Sequence, residues 1–182
     1  MLLLQRRRFI PAFLILLVLF ITNSKCLAGD SIEQVGDVLP IVLAASSLGR
    51  AAYLHDVEGA IQFSKASALT LGITYALKYT VKEERPNGSD HSFPSFHTSF
   101  SFTSAEFLRK RYGWEYGLPA YAAASFVGYS RIESDNHYWH DVIAGAAIGV
   151  ASSYFFTEPY QGVTVSLEGS GTYGGIRLSR YW

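Results

Sequence analysis

The sequence has few cysteines, few charges and no long apolar run. Its 182 residues include one cysteine, one methionine and six prolines, and charged residues make up 16%. The single cysteine, Cys26, excludes an internal disulfide. No run of basic residues and no interleaving of basic with aromatic residues is present, which argues against a nucleic-acid partner. The few lysines and arginines are therefore expected to act locally, on a small anion.

The first 28 residues have the composition of an export signal. Three arginines at positions 6–8 precede an apolar run over residues 9–21, and a polar stretch ends at Ala28. The run has 13 residues, fewer than the roughly 20 that cross a bilayer as a helix, so a removable signal is favoured over a permanent anchor. Cleavage after Ala28 would leave 11 basic against 15 acidic residues, because four of the 15 basic residues precede that point.

The rest of the chain predicts one mainly helical domain followed by a short tail. Apolar residues make up 49% of the sequence, which suffices for one domain with its own core. Leu69, Ile73 and Leu77 repeat every four residues, which predicts a helical stripe that faces the core. We expect a helical bundle over residues 29–158. Its predicted helices lie near residues 35–54, 60–80, 97–110, 114–130 and 141–157.

The tail over residues 159–182 has a different period. Val163, Val165 and Leu167 alternate with polar residues, a glycine-rich turn follows, and the alternation resumes at Ile176 and Leu178. This pattern predicts a β-hairpin. Because an isolated hairpin is marginally stable in water, we expect it to pack on the helices or on a partner.

The relation of the helices to a membrane is open from the sequence. Asp37, Arg50 and Lys65 lie in apolar segments, and a bilayer resists such residues. A basic cluster at positions 109–111 lies at the end of its predicted helix opposite His97, as the positive-inside rule would place it if His97 faced the periplasm. Soluble, peripheral and partly inserted forms all remain compatible with the sequence.

Lys78 and Arg85 are two cations that precede Pro86. Their separation of seven residues is nearly two helical turns, so one continuous helix would place both on one face. Pro86 is expected to end that helix and to leave Arg85 at a terminus or in a loop, where its guanidinium can bind a phosphate through two N–H groups. The alternative is a solvated pair of cations beside Glu83 and Glu84.

Ser95 precedes a predicted helix and has the side chain of an N-cap, whose hydroxyl accepts a hydrogen bond from a free backbone N–H. A helix that begins at Phe96 or His97 also directs its unpaired N–H groups and its positive dipole end toward this place, where an anion can bind. His97 could there carry a proton near neutral pH and donate it to a departing alkoxide. Simple packing of the histidine is the alternative.

His137 and Asp141 are four residues apart, which brings the carboxylate to the imidazole if the segment is helical. A carboxylate that binds one ring nitrogen leaves the other free to act as a nucleophile, by the principle of the serine hydrolase triad. In a different interpretation, His137, His140 and Asp141 ligate a metal ion. No further ligand set has the spacing of a known zinc motif, so we expect no metal.

These three stretches, in this order, resemble the superfamily of type 2 phosphatidic acid phosphatases and vanadium haloperoxidases. Its pattern is Lys, six residues, Arg-Pro; then Pro-Ser-Gly-His; then Ser-Arg, five residues, His, three residues, Asp. The sequence departs from the pattern only at Phe96, where the family usually has glycine. The matching residues, within roughly 60–157, are Lys78, Arg85, Pro86, Pro94, Ser95, His97, Ser130, Arg131, His137 and Asp141.

The resemblance implies a role for each matching residue. His137 would attack phosphorus and form a phosphohistidine, Asp141 would orient it, and His97 would be the general acid. The phosphoryl oxygens would be held by Lys78, Arg85, Ser95, the backbone N–H of Phe96, and Arg131. No cofactor is implied.

The resemblance also implies a function. We expect a metal-independent phosphatase of the bacterial cell envelope that faces the periplasm and acts on a lipid phosphate, such as phosphatidic acid, a prenyl diphosphate or lipid A. A soluble, non-specific periplasmic acid phosphatase is the main alternative. A vanadate-dependent haloperoxidase and a non-catalytic envelope binding protein are the others, and the oligomeric state is open.

The ring of Phe96 would enlarge one wall of the site relative to glycine. Together with Phe93 and Phe100 it could form an apolar lip for a lipid chain, but the three rings could equally belong to the core. The core interpretation is slightly favoured.

Overall fold

The structure is a computed structural model that describes residues 28–160, 163–170 and 173–180. Within these ranges the chain forms five helices and one pair of strands, so the prediction of a mainly helical bundle is confirmed. Each predicted helix is present, and its bounds differ by at most three residues from the prediction, except that the first helix begins at residue 28 and not near residue 35. The helices are α1 (Ala28–Tyr53), α2 (Val57–Thr80), α3 (Phe96–Tyr112), α4 (Trp114–Glu133) and α5 (Trp139–Phe156).

Helix α3 is the centre of the bundle and contacts each of the other four helices. Its neighbour α5 approaches closely through two glycines one turn apart. A Cβ at Gly149 would lie 2.2 Å from the Ser99 carbonyl oxygen, and a Cβ at Gly145 would lie 2.7 Å from the Ser95 carbonyl oxygen. Any larger side chain at these positions would push the helices apart. The glycines therefore fix the start of α5 beside the start of α3.

Helix α2 packs on α3 through a polar stripe, which corrects one prediction. Leu69 is 37% exposed, and Ile73 and Leu77 are only half-buried, so the stripe predicted to face the core does not. The fully buried positions include Thr70 and Thr74. Thr70 forms a hydroxyl hydrogen bond of 2.8 Å to Thr103, and Thr74 one of 3.0 Å to Ser99. These bonds let a polar face pack inside because the buried hydroxyls of Thr70 and Thr74 each have a partner on α3.

The apolar core lies toward the C-terminal half of α3. Phe107 is fully buried, and its ring centroid lies 5.0 Å from that of Phe63 on α2. Beside this core, the carboxylate of Asp56 caps α2 at Gly59 and accepts hydrogen bonds from Arg111 and Tyr112. This end of the bundle therefore combines apolar packing with a buried ion pair whose carboxylate is fully hydrogen-bonded. The start of α3 lies outside this core and can contribute to a functional site.

The C-terminal tail contains two antiparallel strands, β1 (Val163–Ser170) and β2 (Tyr173–Arg180). Val163 pairs with Arg180, and Ser170 pairs with Tyr173. The glycine-rich turn was predicted over residues 169–171, but Gly169 and Ser170 pair within the strands. Residues 171 and 172 lie outside the described residues, as does the predicted signal segment up to residue 27. What the strands pack against stays a prediction.

By length and composition, one helical segment in the described part of the chain could cross a membrane. It is Ser31–Tyr53, which belongs to α1.

Candidate active site

A cavity of about 350 Å³ opens between the start of α3 and the ends of the neighbouring helices. Six of the eight predicted site residues line it: Lys78, Arg85, Phe96, His97, Arg131 and His137. Four residues that the sequence did not single out for the site complete the lining: Glu33, Asp37, Tyr75 and Asn136. The other two predicted residues, Ser95 and Asp141, are fully buried behind this lining.

His137 and Asp141 make the predicted contact, although the segment is not helical at His137. Helix α5 begins at Trp139, and Asp141 lies in its first turn. The Asp141 carboxylate accepts the backbone N–H of Tyr138 through Oδ2 at 2.9 Å, and the same oxygen lies 3.2 Å from His137 Nδ1. The capping interaction thus turns the carboxylate back onto the imidazole. His137 Nε2 is left as the nitrogen available for chemistry.

Ser92 is a member of this group that the sequence did not indicate. Its hydroxyl is fully buried, donates a hydrogen bond of 2.5 Å to Asp141 Oδ2 and lies 3.4 Å from His137 Nδ1. Burial raises the pKa of Asp141, but the hydrogen bonds from His137, Ser92 and Tyr138 outweigh it, so that pKa lies below its ordinary value. Asp141 is therefore a carboxylate near neutral pH.

The pKa of His137 is also lowered. Burial is the largest cause. The hydrogen bond with Asp141 opposes it, and the positive charges of Lys78 and Arg85 lower the pKa further. A lowered pKa keeps the imidazole neutral near pH 7. Neutral imidazole has the lone pair that a nucleophile needs.

Lys78 and Arg85 both reach the cavity, but not from one continuous helix as was expected. Helix α2 ends at Thr80, and Arg85 lies in the loop that follows. The loop turns back because tertiary hydrogen bonds replace helical ones: the Ser92 N–H bonds to the Glu83 carbonyl, and Lys78 Nζ donates to the carbonyls of residues 91 and 92. The prediction that Pro86 terminates the helix was therefore wrong, whereas the prediction that Arg85 lies at a helix terminus or in a loop is confirmed.

The two cations differ in their surroundings. Burial and the charge of Arg85 lower the pKa of Lys78 to about 8, which still leaves the ammonium mostly protonated at neutral pH. Arg85 Nε is buried and has no hydrogen-bond partner among the described residues. Buried guanidinium N–H groups require a partner, and a phosphoryl oxygen in the cavity would provide one.

Ser95 is the N-cap of α3, as its position in the sequence predicted. Its hydroxyl lies 3.5 Å from the backbone N–H of Thr98 and accepts a hydrogen bond of 3.0 Å from the Thr98 hydroxyl. The helix begins at Phe96, so the positive end of its dipole points toward the cavity beside His97. Because Ser95 is fully buried outside the cavity lining, its role as a phosphate ligand stays a prediction.

His97 and the Arg131 guanidinium both approach the carboxylate of Asp37. Its Nε2 is 3.4 Å from Asp37 Oδ1, and the same oxygen accepts a hydrogen bond of 2.6 Å from Arg131 Nη1. Burial is the main reason that the pKa of His97 is lowered to about 4; the charge of Arg131 lowers it further, and Asp37 opposes the shift. With this pKa the imidazole is neutral at pH 7.

The sequence did contain a signal for Asp37. An acidic residue inside an apolar helix is expensive and often marks a functional position, and Asp37 is such a residue in α1. Glu33 lies one turn earlier and accepts a hydrogen bond from Asn136 at 2.7 Å. No local pattern connects α1 with the loop that carries Asn136, so this second contact could not be predicted.

The three phenylalanines of the predicted lip are all half-buried, so the slightly favoured core interpretation is wrong for them. Phe96 lines the cavity, stacks on Phe100 at 5.9 Å and lies 6.0 Å from the ring of Tyr75. Phe93 stacks on the ring of His140 at 6.1 Å. Phe96 and Tyr75 therefore give the cavity one aromatic wall.

A possible metal-ligand group differs from the one considered from the sequence. Glu83, His140 and Asp141 have ligand atoms within 4.8 Å of one another, and His137 is not among them. His140 is exposed, and its Nε2 lies 2.8 Å from Glu83 Oε1. This hydrogen bond is enough to account for the proximity of the two side chains.

Comparison with known proteins identifies the family. The model of the PAP2 superfamily matches residues 59–163. The chain therefore belongs to the PAP2 superfamily. The match begins in the first turn of α2 and continues past α5, so it includes Lys78, His97, Arg131 and His137, and it leaves α1 outside.

Relatives resemble parts of this chain. The lipid A 1-phosphatase of Porphyromonas gingivalis is 40% identical over 88 residues, which are 46% of this chain and 20% of that protein. The bacitracin transport permease protein BcrC of Bacillus licheniformis is 44% identical over 69 residues, 36% of this chain and 32% of that protein. The lipid A 1-phosphatase of Helicobacter pylori strain J99 is 29% identical over 114 residues, 58% of this chain and 60% of that protein.

The chain thus spans less than two thirds of the length of each of these relatives. Among solved structures, Aquifex aeolicus LpxE has the same fold, with a TM-score of 0.60 and 21% sequence identity. The superposition covers 76% of this chain and 92% of the LpxE chain.

Proposed function

We propose that this protein is a metal-independent phosphatase that acts on a cell-envelope lipid phosphate through a phosphohistidine intermediate. The observation that carries the proposal is the position of His137. Asp141 holds its Nδ1, and the ring lines a cavity together with Lys78, Arg85 and Arg131. A neutral imidazole that faces three cations is suited to attack the phosphorus atom of an anionic ester.

The reaction has two steps. His137 Nε2 attacks phosphorus, the bond from phosphorus to the ester oxygen breaks, and His97 gives its proton to the leaving oxygen. A water molecule then loses a proton to His97 and attacks phosphorus, the phosphorus–nitrogen bond breaks, and inorganic phosphate leaves. Lys78, Arg85 and Arg131 stabilise the charge on the phosphoryl oxygens in both transition states.

The proton of His97 depends on the substrate. The pKa of His97 is about 4 in the unliganded site, and a phosphoryl dianion placed among these residues would raise it, because an opposite charge nearby favours the protonated form. His97 therefore becomes protonated when the phosphate binds, and it can then donate a proton in the first step.

The surface of the bundle favours a lipid substrate and membrane association. The second half of α2 buries Thr70, Thr74 and Lys78. Leu69, Tyr75 and Tyr79 are exposed there, an arrangement opposite to that of a water-facing helix. Large apolar residues are exposed on α1, α4 and α5 as well. They include Ile41, Leu48, Trp114, Leu118, Trp139, Ile143 and Phe155. Exposed apolar surface of this extent is typical of a membrane or partner contact.

The substrate class is tested by the release of inorganic phosphate from detergent-purified protein without added metal. Phosphatidic acid, a prenyl diphosphate and lipid A in mixed micelles are compared with a soluble aryl phosphate at equal concentration. Two relatives have the name lipid A 1-phosphatase, so lipid A is the first lipid to test. Preference for a lipid is expected. Equal or faster turnover of the aryl ester would indicate a broad acid phosphatase instead.

The intermediate is tested by rapid quenching with a radiolabelled substrate. Phosphohistidine is stable in alkali and labile in acid, so label should remain on the protein after an alkaline quench and be lost in acid. The label should be absent from the His137→Ala variant. Label on that variant would refute the assignment of the nucleophile. Halide oxidation by vanadate-loaded protein, without phosphatase activity, would indicate a haloperoxidase.

A further inference from the structure

Helix α1 forms one wall of the cavity, although it lies outside the residues that match the PAP2 superfamily. It brings Glu33 and Asp37, one helical turn apart, to the lining. These are the acidic members of a lining that also contains Lys78, Arg85 and Arg131. Negative side chains repel a phosphoryl group, so their presence in a phosphate site requires an explanation.

Gly36 fixes the position of this helix. A Cβ at Gly36 would lie 1.9 Å from Ser130 Oγ and 2.4 Å from Arg131 Nη2. The same Cβ would lie 2.7 Å from Ser130 Cβ, an atom that side-chain rotation does not move, so a side chain at position 36 would displace α1 or α4. The close approach sets the next residue, Asp37, directly against the guanidinium.

Each nitrogen of the Arg131 guanidinium donates a hydrogen bond within the protein. Nε donates to Ser130 Oγ at 3.1 Å, Nη1 to Asp37 Oδ1 at 2.6 Å, and Nη2 to the Glu33 carbonyl at 2.7 Å. Nη1 and Nη2 each carry a second hydrogen. Arg131 can therefore bind Asp37 and a phosphoryl oxygen at the same time.

Asp37 also reaches His97. The distance of 3.4 Å from Oδ1 to His97 Nε2 is longer than an ordinary hydrogen bond. The carboxylate is thus close enough to stabilise an imidazolium without binding its proton tightly. The Asp37 side chain is 48% exposed, so water also hydrates its carboxylate. The carboxylate therefore does not depend on the His97 imidazole for a hydrogen bond.

We propose that Asp37 is a positioning residue for the phosphatase reaction, which holds the Arg131 guanidinium in place and pairs with the His97 imidazole. The inference rests on the proposed function. Two cations oppose protonation of His97: Arg131 on α4 and Arg85 in the loop after α2. His137, in the loop after α4, also opposes it when its own imidazole is protonated. The Asp37 carboxylate from α1 opposes them, and the carboxylate of Glu33 is bound to Asn136.

The test compares three variants by the pH dependence of kcat for phosphate release. Asp37→Asn keeps the shape and removes the charge, Asp37→Glu restores the charge, and Glu33→Gln removes the neighbouring charge that does not contact His97. For Asp37→Asn we expect kcat at neutral pH to fall by about tenfold, and the alkaline limb to move to lower pH by about one unit. Asp37→Glu should recover part of the lost kcat and part of the shift of the alkaline limb. Glu33→Gln should shift that limb less than Asp37→Asn does.

Two results would overturn the inference. A uniform loss of activity with an unchanged alkaline limb, not rescued by Asp37→Glu, would show a structural role only. Faster turnover and tighter binding of inorganic phosphate by Asp37→Asn would show that the carboxylate competes with substrate.

A second measurement does not depend on turnover. In protein with ¹⁵N-labelled histidine, the His97 resonances are assigned through a His97→Gln variant and titrated by NMR. The His97 imidazole should titrate at lower pH in Asp37→Asn than in the wild type, and an identical titration would refute the pairing. A wild type inactive on every phosphate ester would refute the proposed function, and the NMR titration would still decide the pairing.

Discussion

Two histidines of the cavity each lie beside a carboxylate, and the two pairs are built in opposite ways. His137 and Asp141 are neighbours in the chain, with side chains 3% and 0% exposed. His97 and Asp37 come from different helices, with side chains 35% and 48% exposed. The first pair is buried and close in sequence, and a helix-capping hydrogen bond holds its carboxylate. The second pair is partly exposed and distant in sequence, and its carboxylate also binds Arg131.

The difference corresponds to the two roles that we propose. A nucleophile needs a constant orientation and tautomer, and burial with several hydrogen bonds provides both. A general acid must gain and lose a proton in each turnover, and a half-exposed pair can respond to the charge of the substrate. The comparison therefore predicts that variants of the first pair affect the rate at every pH, while variants of the second change its dependence on pH and on the leaving group.

The largest effect is expected for His137→Ala. Removal of the nucleophile should lower kcat by about 10⁴-fold or more, as removal of the nucleophile does in other covalent mechanisms. Phosphate release from the preferred lipid measures this loss, and an unchanged thermal midpoint would show that the fold is intact. Activity within tenfold of the wild type would mean that His137 is not the nucleophile.

Asp141→Asn should lower kcat by about 10³-fold across the pH range, because the amide removes the charge and disturbs the orientation of the imidazole. Asp56→Asn is a matched control, since Asp56 is another buried carboxylate but bonds to Arg111 at the far end of α3. The control should lower the thermal midpoint and leave the pH profile of kcat in place. If both variants lost the same amount of kcat, the loss in Asp141→Asn could be explained by reduced stability of the fold, and it would not support a role of Asp141 in orienting His137.

His97→Gln should have an effect that depends on the leaving group. We expect a loss of about 10²-fold for an alkyl or lipid phosphate, whose leaving oxygen needs a proton. The loss should be much smaller for an aryl phosphate with a weakly basic phenolate. The ratio of the two kcat values is the measurement, and the same loss for both esters would argue against His97 as the acid.

The smallest effect is a separation of two pH profiles in the wild type. His137 acts when neutral, so the rate falls as pH decreases through its pKa; His97 acts when protonated, so the rate falls as pH increases through its own. The profile of kcat/KM reports the free protein and that of kcat the complex. Bound phosphate should raise the pKa of His97 above its value of about 4. The alkaline limb of the kcat profile should therefore lie at higher pH than that of the kcat/KM profile. The prediction would be contradicted if the alkaline limbs of the two profiles coincided.

The fold shows where sequence patterns are reliable and where they fail. The five helices were predictable because apolar composition and length persist over many residues. The buried face of α2 was not, because Leu69 was expected inside and Thr70 is there instead. Hydroxyl pairs such as Thr70 with Thr103 decide that face, and periodicity carries no information about a partner on another helix.

In the site, the sequence alone determined the chemistry and the tertiary structure determined its surroundings. The motifs singled out Lys78, His97 and His137, because their residue types and spacings are specific. The partnership of Asp141 with His137 was also predictable, since neighbours along the chain stay close whatever the fold. Only helix packing could bring Asp37 of α1 to Arg131 and His97, because contacts between residues distant in sequence depend on which helix faces meet. Here Gly36 allows α1 to approach Ser130 and Arg131 closely.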